Sequence, residues 1–225
     1  MKRLLTIVLA LILILASDYG VSLARGRTEW GLKFGLDFDN NAPSSQDPFG
    51  VTSVNDRLGV AFGLFITSYV NERIAFQPEI YYAIRGYTYR HSLESTNYSS
   101  NIERKVRTDY LEVPLLIKFI AIIGKIQPNF LIGPALGVPV RSRSDYQLDE
   151  YSNGEYHSYS SRSHAGYNNW GEVGLVIGGG LDFVVGRGKV LVDARYNLQF
   201  MQFIDLGSTG GEEKPVLCLR IGYAF

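Results

Sequence analysis

The chain has one cysteine among its 225 residues, Cys218. A lone thiol excludes an internal disulfide and argues against a cysteine-based metal centre. Neither sign of charge is in excess, with 22 basic and 22 acidic residues, so no basic surplus points to nucleic acid. Gly178-Gly179-Gly180 is not followed by Gly-Lys-Ser/Thr, which removes a phosphate loop. The chain has three histidines, His91, His157 and His164, all in polar stretches. His157 and His164 have no cysteine or acidic companions at ligand spacing, so they read as solvated, not metal-bound. Ser158 and Ser160 flank His157, but a nucleophile needs a base that is itself oriented, commonly by a carboxylate. Neither a catalytic set nor a cofactor is expected. Beyond the first turn-lengths of chain, no apolar run approaches the roughly 20 residues of a membrane-spanning helix.

The apolar run that does exist lies at the start. Met1-Lys2-Arg3 leads into a run from Leu4 to Ala16, broken only by Thr6, and a mixed stretch then reaches Ser22-Leu23-Ala24. A basic start, an apolar core and small residues at −3 and −1 describe a secretory signal peptide, residues 1–24, cut after Ala24. Its removal takes Lys2, Arg3 and Asp18 and leaves 20 basic and 21 acidic residues in one domain, 25–225.

What the rest of the chain has in abundance is alternation. Segments 29–38, 57–68, 73–87, 107–119, 126–140, 170–185, 189–203 and 215–225 each place large apolar residues on one face and small or charged ones on the other. Trp30, Leu32, Phe34, Leu36 and Phe38 oppose Gly31, Lys33, Gly35 and Asp37. A soluble barrel would hide the apolar set inside. Here the apolar set is the outer one, facing lipid, around a lumen of small residues and ion pairs. The expectation is an all-β, eight-stranded antiparallel transmembrane β-barrel, an up-and-down meander in the bacterial outer membrane. Connections are short at 68–72, 120–125 and 186–188, and long and polar at 39–56, 88–106, 141–169 and 204–214. Short inner turns alternating with long outer loops put both termini on the periplasmic side.

Parity assigns Lys33, Arg57, Arg85, Lys118, Arg195 and Arg220 to the lumen, with Asp37, Glu79, Glu112, Glu172, Asp182 and Asp193. The lipid faces are read as free of charge. Eight strands enclose a space just filled by side chains, so this balanced set reads as a structural network. Glu79 with Glu112 as an acid/base couple, and Glu112 with Lys118 as an ion pair, are the pairings weighed within it. Cys218 is read as interior filler. Pro78, Pro128 and Pro134 fall on the lipid face, where a missing ladder donor suggests bulges or strand ends.

The chain ends Tyr223-Ala224-Phe225, an aromatic finish of the kind read by barrel-insertion machinery, so Tyr223 and Phe225 are the candidate assembly signal. Tyr146, Tyr151, Tyr156, Tyr159 and Tyr167 stand in the serine-rich stretch 141–169. Such Tyr/Ser/Gly mixtures make adaptable binding surfaces, against the plainer reading of a hydrophilic outer loop.

Tyr110-Leu111-Glu112-Val113-Pro114-Leu115-Leu116-Ile117-Lys118, Phe76-Gln77-Pro78-Glu79-Ile80-Tyr81-Tyr82, Gly133-Pro134-Ala135-Leu136-Gly137 and Asp193-Ala194-Arg195-Tyr196 resemble strands of the PorT-like outer-membrane β-barrel family of Bacteroidota. The resemblance covers about residues 29–225 and implies an outer-membrane barrel; the namesake of that family is associated with type IX protein secretion. The leading expectation is a non-enzymatic scaffold that presents outer loops. Its partners would be outer-membrane lipid, the insertion machinery during assembly, and a protein at the loops. An accessory part of a secretion or uptake assembly is the alternative, and a lipid-modifying barrel enzyme the third.

Overall fold

Side chains two residues apart on a strand share a face, so alternating segments laid side by side can enclose one face by curling the sheet on itself. A computed structural model of the chain describes residues 27–38, 51–95, 98–152, 155–165, 171–202 and 215–225, and in it these segments curl until the sheet closes. The expected signal segment lies outside the described residues. There are nine strands: β1 (Thr28–Phe38), β2 (Val51–Asn71), β3 (Ile74–Ser95), β4 (Tyr98–Ile120), β5 (Ile126–Ser152), β6 (Glu155–Ala165), β7 (Glu172–Val185), β8 (Gly188–Gln202) and β9 (Val216–Ala224). Among the described residues there is no helix.

Eight strands form the ring, β1 through β5 followed by β7, β8 and β9, each antiparallel to its neighbours, with β9 returning to β1. At the seam Lys33 lies opposite Gly222 and Phe34 opposite Ile221. Beyond the last ladder pair, the Phe225 N–H donates to the Trp30 carbonyl at 2.8 Å. Gly31 permits this seam, since a Cβ there would fall 2.1 Å from the Tyr223 carbonyl oxygen.

The ninth strand corrects the expected long loops. β6 pairs only with the outer half of β5, from Ser142 opposite Ala165 to Ser152 opposite Glu155. Stretches 88–106 and 141–165, expected as loops, are instead hairpin arms that continue the barrel strands. With 51–57 of β2 they make a sheet of β2, β3, β4, β5 and β6 that rises from one side of the barrel mouth. The three short connections stand where expected; Gly124 and Gly186 turn two of them with φ of 61° and 62°, a conformation that favours glycine.

One of the three prolines lies near a strand end as expected, and the other two sit inside their strands without a bulge. Pro78 lies opposite Leu115 and Pro134 opposite Leu175, both well inside their strands, while Pro128 is the third residue of β5. Around Pro78 and Pro114 the β3–β4 ladder skips two positions, from Pro78–Leu115 to Tyr81–Glu112, and resumes in step. The bulges fall elsewhere, between Arg57 and Val60, between Tyr69 and Asn71, at the Asp109/Tyr110 step opposite Pro139–Arg141, and at the Val173/Gly174 step opposite Met201–Gln199. Those beside Arg57 and Arg141 switch which parity faces outward.

The outer wall of the barrel carries Leu32, Phe34, Phe62, Leu64, Ile66, Phe119, Phe130, Val192 and Ile221, all solvent-exposed in the isolated chain. Trp30 and Phe225 stack there with ring centroids 4.5 Å apart, and Tyr223 meets Phe225 edge-on at 5.0 Å. Such aromatic residues are typical of a membrane interface.

A closed ring of this kind keeps its shape in unboiled SDS and shifts mobility on heating. Gly31→Val forces the seam apart, so overpacking of ~1–3 kcal/mol or more is expected to abolish the heat shift. Gly124→Val, with open space around the glycine, strains only a turn and should leave the shift in place.

Candidate functional site

Inside the ring the charges form one compensated column. Glu79 is buried on β3 and accepts from Lys33 Nζ at 2.9 Å, from Arg195 Nη1 at 2.5 Å and Nη2 at 3.0 Å, and from Gln77 Nε2 at 2.6 Å. Asp193 of β8 takes the other bond from Lys33 and one from Arg195, both 2.6 Å. Two cations and two anions from β1, β3 and β8 thus share a single cluster. Removing a carboxylate from water is tolerable only when several donors replace the water, and four donors on Glu79 do so.

Nearer the mouth, Asp37 is held by Arg220 and by Arg85 Nε at 3.2 Å, and Arg85 Nη2 reaches Glu112 at 2.6 Å. Lys118 pairs with Asp182 at 2.6 Å, and Asn129 Nδ2 donates to the same carboxylate at 2.9 Å. Glu112 and Lys118 therefore hold different partners. Glu112 lies opposite Tyr81 rather than Glu79, so no acid/base couple forms between the two glutamates. Glu172 is half-buried and borders a hollow of about 10 Å³ with Glu112 and Asn197, the size of one water. Cys218 is buried, 3.8 Å from the Val216 carbonyl, a filler contact. Tyr81, fully buried, packs its ring 5.1 Å from the Arg220 guanidinium.

Arg57 departs from its expected place. The bulge after it turns it to the outside, opposite Gly86, and it is exposed. A lower group, unforeseen in the sequence, stands at the end of the barrel that carries the short connections, where Lys189 reaches Glu29 at 3.2 Å and Tyr69 at 2.7 Å, and Tyr69 donates to Glu29 at 2.9 Å. Its signal was available in the parity that Glu29 shares with Lys33 and Lys189 with Asp193.

Above the mouth the sheet is polar on its outward face. Asp145 accepts from Arg162 at 2.6 Å and Arg143 at 3.3 Å. Asp149 accepts from Ser158 at 2.7 Å, Tyr156 at 2.9 Å and Gln147 at 3.0 Å. The hydrogen bond from Arg162 holds the Asp145 carboxyl below the usual carboxylate range, and that from Ser158 does the same for Asp149. Glu103, Lys105, Asp145, Tyr146, Gln147, Ser160, Ser161 and Arg162 border an open hollow of about 410 Å³.

The five tyrosines do not make one surface. Tyr151 lies opposite Tyr156 on the outward face, whereas Tyr146 and Tyr159 occupy the face continuous with the lumen; Tyr167 is outside the described residues. His157 lies opposite Glu150, and Ser158 and Ser160 project from the other side of β6. No Ser–His pair is assembled there. Among the described residues, no group of three or more His, Cys, Asp or Glu side chains is placed to hold a metal ion.

A family model described as outer membrane protein beta-barrel domain matches residues 18–205. No curated protein matches the chain. Among solved structures, the attachment invasion locus protein Ail of Yersinia pestis, in complex with a heparin analogue, is 15% identical. It aligns over 88% of this chain and 97% of its own, with a TM-score of 0.38. OprG of Pseudomonas aeruginosa is 11% identical over 89% of this chain and 96% of its own, TM-score 0.42. Neisserial surface protein A is 8% identical over 87% and 95%, TM-score 0.38.

Two outcomes are expected of these contacts. Asp182→Asn leaves Lys118 buried against a weakened partner and costs on the order of 3–5 kcal/mol if the site is dry. Adding Lys118→Met should recover part of that loss, while Glu112→Gln and Lys118→Met should add independently, as urea unfolding in lipid vesicles would show. The second concerns acid. Carboxyls held below the ordinary aspartate value of 3.8 stabilise the β5–β6 hairpin above that pH and lose the contribution as pH falls through their folded values. Amide exchange over 145–162 should therefore be flat from pH 7 to about 4, after correction for intrinsic exchange, and protection should drop below it.

Proposed function

Since the chain belongs to the family of outer membrane protein β-barrel domains, we propose that it is a non-catalytic outer-membrane scaffold whose working part is the sheet above the barrel. The observation that carries this reading is the contrast between its two halves. The lumen is occupied by opposed ion pairs, with Lys33, Asp37, Glu79, Lys118, Asp182 and Asp193 all buried. The β4–β5–β6 sheet instead offers an open hollow and exposed Tyr151, Tyr156 and Tyr159. A rigid frame carrying an adaptable surface is the usual division of labour in binding proteins.

On this reading residues 1–24 are an export signal, 25–225 one barrel domain, and Tyr223 and Phe225 the signal for insertion. The placement of Phe225 on the β1–β9 seam, against Trp30, supports the last point. Deleting Phe225 should lower outer-membrane levels in a native host and raise periplasmic degradation; unchanged insertion would count against it. The finer assignment to the PorT-like family, and with it an accessory place in a secretion or uptake assembly, rests on the runs 76–82, 133–137 and 193–196 and above all on Tyr110–Lys118. That run forms the membrane half of β4.

Replacing residues 144–163 by a short Gly/Ser linker removes β6 and the arm it pairs with. The expected product is a heat-modifiable barrel that has lost partner capture in pull-downs from native outer membrane. If that variant keeps its partner, and Arg195→Gln loses function while still inserting, the interior is the working part and the scaffold reading fails.

A further inference from the structure

The outer wall does not pass evenly from apolar to polar. The rung containing Phe62, Tyr82, Leu111 and Val138 is uncharged. On the next two rungs, Ile84 lies opposite Asp109 and Asp109 opposite Arg141, then Arg57 opposite Gly86, Gly86 opposite Arg107 and Arg107 opposite Arg143. Four arginines thus face outward over β2, β4 and β5, with Asp109 the one acid among them, so the outer face of segment 107–119, expected to be free of charge, carries Arg107 and Asp109. That acid is already engaged, its Oδ2 by the Tyr82 hydroxyl at 2.7 Å and its Oδ1 by Arg107 Nε at 3.2 Å. Arg57 and Arg141 are exposed and have no ion-pair partner among the described residues. Arg143 reaches up to Asp145 at 3.3 Å, and the higher rungs are balanced: Asp145 also meets Arg162, and Glu103 meets Arg90 and Lys105.

Positive charge is therefore concentrated on the two rungs that follow the apolar belt, where a lipid's headgroup would lie. The bulges at Arg57/Val60 and at Arg141 serve this placement, because without their parity switches Arg57 and the pair Arg141 and Arg143 would face inward. Adjacent strands lie ~4.8 Å apart, so Arg107 and Arg143 are neighbours, while Arg57 stands ~10 Å from Arg107 with only Gly86 between. Guanidinium forks bind phosphate oxygens in pairs, and bind them best where water is partly excluded.

We propose that Arg57, Arg107, Arg141 and Arg143 form a binding site for the phosphate groups of the phosphorylated glycolipid in the outer leaflet. The site rests on the reading of the chain as an outer-membrane barrel and gives that barrel a fixed depth and a lipid-bound flank beneath the sheet. Asp109, held by Tyr82, keeps Arg107 extended along the wall.

The test uses the full mature chain in phosphatidylcholine vesicles doped with lipid A carrying both phosphates, or with the same lipid A dephosphorylated. The readout is lipid A retained per barrel after mild detergent extraction and gel filtration. The wild-type protein should retain the phosphorylated form at least about fivefold better than the dephosphorylated one, a comparison that needs no variant. R57Q/R107Q/R141Q/R143Q should lose that preference, and R90Q/R104Q/K105Q/R162Q, which removes equal charge higher up, should keep it. Equal retention of the two lipids, or equal losses in both variants, would overturn the site. Displacement of lipid A by inorganic phosphate would make it a free-anion site and overturn the lipid assignment. The heat shift separates failures: its absence in wild type sinks the barrel reading, whereas its presence without retention sinks only the site.

Discussion

A chain that crosses lipid must satisfy every backbone N–H and C=O within itself, and for strands the only solution is a ring. The remaining features of this molecule follow from closing that ring at eight strands. Closure demands close approach at the seam, which glycine at Gly31 and Gly222 allows. It leaves a bore that side chains fill. It also leaves no edge within the membrane, so a chain with more strand to offer must extend it beyond the bilayer. The strands do so, and β6 appears only there, paired with β5 above the ring.

The filled bore explains why the interior is charged at all. An apolar interior around an apolar exterior would give strands without a preferred face, and register would be weakly specified. Alternating charge with apolar bulk makes a one-residue slip expensive, because it would carry Lys33, Glu79 or Asp193 into lipid. The same charges then require one another inside, and the cluster joining β1, β3 and β8 ties together strands that are not neighbours in the ring. The interior ion pairs thus specify the fold more than they stabilise it.

The membrane half of this architecture was legible in the sequence because lipid and lumen impose a strict period of two. Every inward charge from Lys33 to Arg220 that lies within an unbroken ladder follows parity. Arg57 does not, since a bulge adds one residue and exchanges the faces, and no local signal in Asp56-Arg57-Leu58-Gly59 announces it. Individual ion pairs were not legible either: strand order brings Lys118 to Asp182 and Arg195 to Glu79, and which charges meet across the bore depends on side-chain reach and stagger. The arms at 88–106 and 141–165 read as loops for a different reason. Outside the bilayer both faces of a sheet meet water, alternation fades, and a run such as Ser158-Tyr159-Ser160-Ser161 resembles irregular chain although its backbone pairs fully with β5.

That fading of alternation is itself a depth gauge. Arg107 and Asp109 sit on the outward face of β4, in line with Leu111 and Val113 below them, and would be costly anywhere inside the apolar belt. Their presence there, with the buried Asp109 clasped by Tyr82 and Arg107, means that the hydrocarbon ends just beneath them. The bulges beside Arg57 on β2 and Arg141 on β5 lie at this same level. A sheet that must change its environment along its own length benefits from changing which side chains face outward at that point, and a bulge does so without breaking the ladder. The boundary between frame and exposed surface is thus written into the backbone, which lets the upper sheet vary in sequence while the barrel below keeps its register.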